Sequence, residues 1–309
     1  MIRFATPADT AAVKDIWHKC FGDGEPFLSW NFERNYNPGD TLVWIEDGEV
    51  VATLQMQTKA INLYGEVVAG NYVFGIATLP PWRSRGIAAA LLERSFEVAV
   101  KRGHVVSLLI PFNYKFYERF GYKLAYKLVK ASIKKEFAPK LELSHNIKFA
   151  DVDEKTIANF QYIYRKLCEP LNGWIARSDH EFSLILENCV NCGGNLIVCV
   201  NESGECVGYA IGEFEDGKFS AHEMAYVSDV ARDSLLAGIF AEFPNCVEIE
   251  ATTPMFYCDD LISFGGYLDG SKIYPFSMVK ILNEAKFRQI CGENEFFREN
   301  FNYANLLFS

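Results

Sequence analysis

One stretch of this 309-residue chain leaves few folds open to it. Tyr72-Val73-Phe74-Gly75-Ile76-Ala77-Thr78-Leu79 is a nearly unbroken apolar run that reads as a strand buried on both faces, and Pro80-Pro81 stops it. A glycine turn follows, Arg83-Ser84-Arg85-Gly86-Ile87-Ala88, and then Ala89, Ala90, Leu91, Leu92, Phe96 and Ala99 recur at helical spacing among Glu93, Glu97 and Lys101. The turn therefore opens directly into an amphipathic helix. Strand, tight turn and helix in that order make an anion site. Free backbone N–H groups and the positive end of the helix dipole converge on one point, and Gly86 lets a ligand approach the backbone where a side chain would block it. The N–H groups of Ser84 to Ala89 are expected to hold an anion, with Arg83 and Arg85 adding charge.

Past Gly103 comes a second apolar strand, Val105 to Ile110, closed by Pro111, and then Asn113-Tyr114-Lys115-Phe116-Tyr117-Glu118-Arg119-Phe120-Gly121-Tyr122. A strand, R-x-x-G-x-A opening a helix, a second strand and F-Y-x-x-F-G-Y, in this order, resemble the acetyl-CoA-binding heart of the GCN5-related N-acetyltransferase (GNAT) superfamily. The whole chain resembles the group named for the enhanced intracellular survival protein, which joins an active acetyltransferase domain to a degenerate copy and a C-terminal segment.

The rest of the chain fits that order. Ile2 and Phe4 alternate as a short strand, and Thr6-Pro7-Ala8-Asp9 starts a helix with a threonine cap, a proline and a first-turn acid. An acidic break at Phe21 to Pro26 separates it from a second helix around 27–36. Thr41 to Glu46 and Glu49 to Asn62 read as a hairpin about Asp47-Gly48. Lys123 to Ile133 reads as strand, and 134–145 as a linker. Beyond it the pattern repeats: strand 147–149, helix 154–166, paired strands at 196–200 and 206–211, a strand near 224–227, a helix over 231–243, a strand at 246–250 and Phe264-Gly265-Gly266-Tyr267. In place of the glycine turn the second half has Ser228-Asp229-Val230-Ala231-Arg232-Asp233-Ser234, with no glycine and two carboxylates that would repel a diphosphate.

The expected architecture is α/β (α+β): two tandem GNAT-type mixed-sheet domains, the first over 1–138 with the acetyl-CoA site, the second, degenerate, over 146–270, and a short C-terminal segment over 271–309. That segment ends in Phe301, Tyr303, Leu306, Leu307 and Phe308, apolar anchors expected to dock rather than stay in water. It is too short for the sterol-carrier-like domain that occupies this place in the resembling group.

Composition narrows the partners. Length predicts about two domains, and half the residues are hydrophobic, as in ordinary globular proteins. No apolar run is long enough to cross a bilayer, and no basic region followed by an apolar core stands at the start, so a cytoplasmic location is expected. A net charge of −10 disfavours nucleic acid and favours cationic partners such as amines. The nine cysteines read as reduced thiols; Cys189-Val190-Asn191-Cys192 lacks a second pair or nearby histidines, and no metal is expected.

The resemblance implies the chemistry: transfer of an acetyl group from acetyl-CoA, as cosubstrate, to a primary amine by direct attack in a ternary complex. The main chain of Ile76, Ala77 and Thr78 would bond the pantetheine arm and steady the thioester carbonyl, with Phe112 and Asn113 lining the other lip. Tyr117 matches the family's proton donor to the departing thiolate. The carboxylate of Ser309, delivered by the apolar tail, would take the amine's proton; Asp23, Glu25 and Glu46 are alternatives. Asp23 and Glu25 either recruit the cationic amine or form an ordinary acidic loop, and His18 and His104 have no assigned role. Members of the resembling group often assemble, so a homo-oligomer is possible. A second reading is an acetyl-CoA-binding or scaffold protein of the same fold without turnover. Lipid carriage is disfavoured by the short C-terminal segment.

Overall fold

The computed structural model describes residues 1–141, 143–254 and 272–292. These fall into two compact units: Met1–Ala125 together with the segment from Phe276, and Tyr126–Pro275.

The first unit opens with β1 (Ile2–Phe4), a 3-10 turn at Pro7–Asp9 and α1 (Thr10–Phe21). Thr6 and Asp9 form a capping box there, and the Arg3 guanidinium beside Asp9, 2.7 Å away, holds that carboxyl well below the usual range. A carboxyl depressed in this way stabilises the fold above its unfolded pKa of about 3.9 and loses that contribution as pH falls through the folded value. Asp9→Asn is expected to flatten the loss of stability of the chain between about pH 5 and 3, followed by thermal unfolding; an unchanged acid limb would show that the Arg3 pair contributes nothing.

Next come α2 (Phe27–Trp30), continued by a π-turn over Asn31–Asn35, then β2 (Thr41–Glu46) and β3 (Glu49–Leu63). Asp47 and Gly48, both at positive φ, turn one strand into the other, which is what an Asp-Gly pair is suited to do. β4 (Glu66–Thr78), α3 (Ile87–Lys101), β5 (Val106–Leu109) and α4 (Tyr114–Glu118) complete the run. α3 buries Ile87, Leu91, Leu92 and Val98 in a core with Leu42, Leu54, Met56 and Val73 of the sheet.

The second unit holds most of β6 (Lys123–Lys134), then β7 (Asn146–Phe149), α5 (Glu154–Cys168), the short β8 (Trp174–Ile175), α6 (Asp179–Asn191), β9 (Asn195–Val200), β10 (Cys206–Glu215), β11 (Lys218–Tyr226), α7 (Asp229–Glu242) and β12 (Glu248–Pro254). After it, β13 (Lys272–Ile281) and α8 (Glu284–Cys291) follow.

The pairings of the two units correspond one to one. In the first, β1, β2, β3 and β4 pair antiparallel in succession, β4 pairs parallel with β5, and β5 pairs antiparallel with β13. In the second, β7, β9, β10 and β11 pair antiparallel, β11 pairs parallel with β12, and β12 pairs antiparallel with β6. The last strand of each sheet comes from elsewhere in the chain. β6 follows the first run of elements and closes the second sheet; β13 follows the second run and closes the first.

The division therefore falls at Ala125, inside β6, and not in the stretch after 134 that reads as a linker. Lys134 to Leu128 are laddered to Glu248 to Pro254, and 135–140 form a 3-10 helix within the second unit. The segment from Phe276 is a strand of the first sheet and no mere tail. The Phe264-Gly265-Gly266-Tyr267 echo lies outside the described residues.

In the second unit Arg177 and Glu223 form a buried pair, Nη1 to Oε1 2.8 Å and Nη2 to Oε2 2.9 Å, with side chains 2% and 1% exposed. The Tyr209 hydroxyl donates to Glu223 Oε1 at 2.8 Å, and the Arg177 guanidinium stacks 4.1 Å over Tyr164. Glu223 lies two residues past the last β11–β12 pair, as Phe74 lies two past the last β4–β5 pair. Where the first unit has an apolar ring, the second is filled by a neutralised ion pair. Arg177→Met leaves a carboxylate uncompensated in the core and is expected to destabilise the unit by about 3–5 kcal/mol in denaturant unfolding; a loss below about 1 kcal/mol would contradict the burial of the pair.

Candidate active site

β4 and β5 are paired only over Gly70–Tyr72 and Val106–Leu108, while β4 continues to Thr78 and β5 ends at Leu109. Beyond Tyr72 the β5 side of β4 thus faces a gap, and alternate main-chain groups of β4 point into it. On its other side β4 bulges. Phe74 pairs with Gln55 and Ala77 with Thr53, so Gly75 and Ile76 together stand opposite Leu54. Gly75 has φ +58, and a Cβ on it would come 2.7 Å from the ring of Trp17. Both the backbone and the packing of α1 require glycine here.

After β4 the chain turns through Pro80–Trp82 into α3. Gly86 sits at the N-cap with φ +79, two residues after Ser84 at φ +63. No side chain caps this helix, and its first internal bond is Ala90 N to Gly86 O at 3.0 Å. The N–H groups of Ile87, Ala88 and Ala89 are thus left over from the helix ladder. The other long helices of the second half are closed instead: Asp153 accepts from Thr156 N, Ser178 from Glu181 N and Ser228 from Ala231 N. In α7, the counterpart of α3, Arg232 also pairs with Asp229 at 3.0 Å and Asp233 at 2.9 Å. A Cβ at Gly86 would meet nothing within 4 Å, so the space at the helix start beside this glycine is open. Donors, dipole and open space together suit an anion.

Arg83 and Arg85 frame this turn, yet both are directed back onto the protein. Arg83 Nε donates to Thr78 O at 2.9 Å, and its Nη2 lies 3.7 Å from Cys20 Sγ. Arg85 Nη2 donates to Pro81 O at 3.2 Å, and its guanidinium stacks 4.7 Å over Trp82. They brace the loop and remain exposed on its rim. Of the β4 residues, Ala77 is buried, while Ile76 and Thr78 are half-buried at the gap.

On the far lip, Asn113 Oδ1 accepts from Phe116 N at 3.3 Å and so caps α4. Phe112 before it is 93% exposed. Tyr117 is buried, its ring edge-on to Phe116 and Tyr122 with centroids 5.0 and 6.1 Å away. Burial pushes its phenol up to about 12. Tyr117, Ile76 and Ile87 all pack into one apolar cluster, so the aromatic motif, the bulged strand and the first turn of α3 converge.

The acidic loop divides. Asp23 is exposed and Oδ2 accepts from Trp17 Nε1 at 2.8 Å, which ties it through the indole to the Gly75 bulge. Glu25 is turned to Lys14 at 3.2 Å and accepts from Ser29 N at 3.0 Å, which holds its carboxyl below the usual range and leaves it as an anchor of α2. Glu46 accepts from Trp44 Nε1 at 2.9 Å on β2. His18 Nδ1 contacts Asp23 O at 2.7 Å, and His104 is buried against Thr58 Oγ1 at 3.1 Å, its pKa pushed down by burial. Ser309 lies outside the described residues.

Sequence reading passed over Gly75 and Trp17. A lone glycine inside an apolar strand is itself a bulge signal, and Trp17 reads only as the buried stripe of α1. The C-x-x-C pair does not converge: Cys189 is buried toward Asn195 O and Gly212 O, while Cys192 is exposed with its thiol on Asn188 Oδ1. Among the described residues no group of three or more His, Cys, Asp or Glu could hold a metal, and no helix is long and apolar enough to cross a membrane.

Residues 1–125 match the family model of the acetyltransferase (GNAT) domain. Among curated proteins, none matches the sequence. Solved structures with the same fold include a probable N-acyltransferase of otherwise unknown function from Enterococcus faecalis V583, at TM-score 0.79 and 18% identity over 94% of this chain and 74% of that one. A GCN5-related N-acetyltransferase from Anabaena variabilis matches at TM-score 0.79 and 15% identity over 94% and 75%. Eis1 from Mycobacterium abscessus matches at TM-score 0.71 and 17% identity over 94% and 76%. At such identities the likeness is one of fold, and it covers both units of the chain.

Proposed function

We propose, from the GNAT acetyltransferase domain that residues 1–125 match, that this chain is an acetyl-CoA-dependent N-acetyltransferase acting on a primary amine by direct attack in a ternary complex. The observation that carries the reading is the uncapped start of α3 at Gly86, exposed and with open space at the glycine, on the same strand-turn-helix run as a β4 that extends past its last pair with β5.

Acetyl-CoA supplies the activated acyl group as a thioester. The N–H groups of Ser84 through Ala89 hold its diphosphate, Arg83 and Arg85 swing from their carbonyl partners to add charge, and Gly86 keeps the approach clear. The main chain of Ile76, Ala77 and Thr78 lines the pantetheine arm, and an N–H at the bulge steadies the carbonyl oxygen as charge develops on it. Phe112 and Asn113 form the opposite lip; a phenylalanine so exposed is suited to cover an apolar arm. Asp23 attracts the amine as a cation, while Glu25 is taken up by Lys14 and Ser29.

As the N–C bond forms and the C–S bond breaks, Tyr117 gives its proton to the departing thiolate. The proton shed by the attacking nitrogen passes to water, from which the phenol is restored. A phenol at about 12 is a poor donor to a thiolate in water, whose thiol has a reference pKa near 8.5. The sulfur, however, leaves into the same desolvated space. Desolvation raises a thiol as it raises a phenol, so the same cause brings acceptor toward donor.

The second unit shares the strand pairing and lacks the open helix start, so we assign one cosubstrate site per chain, in the first unit. The test is thiol release from acetyl-CoA over a panel of diamines, amino sugars and lysine peptides, beside calorimetric titration with coenzyme A. Turnover with at least one amine is expected. Coenzyme A binding with no turnover on any amine would leave a binding protein of this fold, and no binding would remove the reading.

A further inference from the structure

We propose that Lys280, on β13, is a positioning residue for Tyr117; this rests on the proton-donor reading of Tyr117. α4 has 5 residues, too few for a helix to hold its own shape in water. The aim of Tyr117 is therefore set by what grips the two ends of α4. At the N-terminal end the grip is the Asn113 cap. At the C-terminal end the chain turns through Gly121 at φ +84, with Phe120 N bonded to Tyr117 O and Gly121 N to Glu118 O, each at 2.9 Å.

This turn is pinned from two sides. The Tyr122 hydroxyl and Ser107 Oγ share a hydrogen bond of 2.7 Å, and Ser107 Oγ donates to Asn71 O at 3.1 Å. On the other side, Lys280 Nζ donates to Phe120 O at 2.8 Å, across 160 positions of sequence. The ammonium is also 5.1 Å over the ring of Phe96 and 3.1 Å from where a Cβ on Gly121 would stand. Among the described residues no carboxylate pairs with it. A long cation ordinarily extends to water or to an acid; Lys280, half-buried beside the buried Ser277 to Val279, is folded into the turn, and its charge is spent on a backbone carbonyl and a ring. Met278, two residues earlier on β13, packs in the cluster that contains Tyr117. One strand, carried to the first sheet from the far end of the chain, thus braces the donor helix by packing and by charge.

Lys280→Met keeps the stem on Phe96 and removes the donor. The expected result is a fall in kcat of about tenfold, since small misplacements of a reacting group are costly, with KM for acetyl-CoA and affinity for coenzyme A within about twofold of wild type. Lys280→Arg should recover kcat to within about threefold. In a Tyr117→Phe background Lys280→Met should cost nothing further, because the group it aims is gone. An unchanged kcat in Lys280→Met, or the same fall in both backgrounds, would overturn the inference. Should Lys280→Met not fold, Lys280→Gln, which keeps a neutral donor, should lose kcat by about threefold, and an unchanged rate there overturns it equally. A wild-type chain without turnover on any amine removes the proposed function itself; turnover with additive variants removes only the role of Lys280.

Discussion

Tyr117→Phe is expected to lower kcat by about a hundredfold or more while leaving affinity for coenzyme A within about twofold, because only the hydroxyl proposed to protonate the leaving sulfur is lost. The ring keeps its place against Phe116 and Tyr122, so thermal unfolding should barely shift. The pH profile supplies a second check. A donor must be protonated to act, and a phenol held at about 12 stays protonated through the range in which the enzyme can be assayed. Wild-type kcat should accordingly show no alkaline fall below about pH 10. Thiol-release kinetics in which Tyr117→Phe retains kcat within a few-fold would assign the proton to water or to another group.

The second large effect is at Gly86. Its φ of +79 belongs to the left-handed region, which costs a residue with a Cβ about 1–2 kcal/mol, and more for a β-branched one. Nothing within 4 Å opposes a Cβ there, so the fold tolerates substitution better than the ligand does. Gly86→Ala should fold with a modest loss of stability. Gly86→Val, placing a branched side chain in front of the N–H groups of Ile87 to Ala89, should weaken coenzyme A binding by about a hundredfold, or roughly 2.7 kcal/mol, read by calorimetry. Retained affinity in a folded Gly86→Val chain would put the diphosphate somewhere else.

The elements around this site were legible because each is specified locally. Asp47-Gly48 marks the hairpin by its own backbone preference, Pro80-Pro81 ends β4, and the spacing of Ile87, Leu91 and Leu92 makes α3 amphipathic. The repeat of strand, helices, hairpin, helix and strand in the second half is local in the same sense. What sequence could not show is pairing at a distance. Lys123 to Ile133 reads as a strand wherever it goes, and only its ladder to β12 assigns it to the second unit. Phe276 to Leu282 likewise reads as a strand without a partner, and its register against β5, Met278 opposite Leu109, closes the first sheet. The linker reading of 134–145 rested on charge and proline, both of which a short 3-10 turn accommodates. At the site, the R-x-x-G-x-A and F-Y-x-x-F-G-Y strings located the helix start and Tyr117. The Gly75 bulge, the Trp17 contact with Asp23 and the Lys280 clamp depend on tertiary packing, which no local pattern encodes.

The claim on which the rest depends is that the leftover amides at the start of α3 grip a diphosphate. Amide chemical-shift mapping of the isotope-labelled chain on addition of coenzyme A tests it most directly. Gly86, Ile87, Ala88 and Ala89 should show the largest shifts, while the first-turn amides of α7, Asp229 to Ala231, stay still. Shifts concentrated at α7, or none at α3 under saturating ligand, would contradict it.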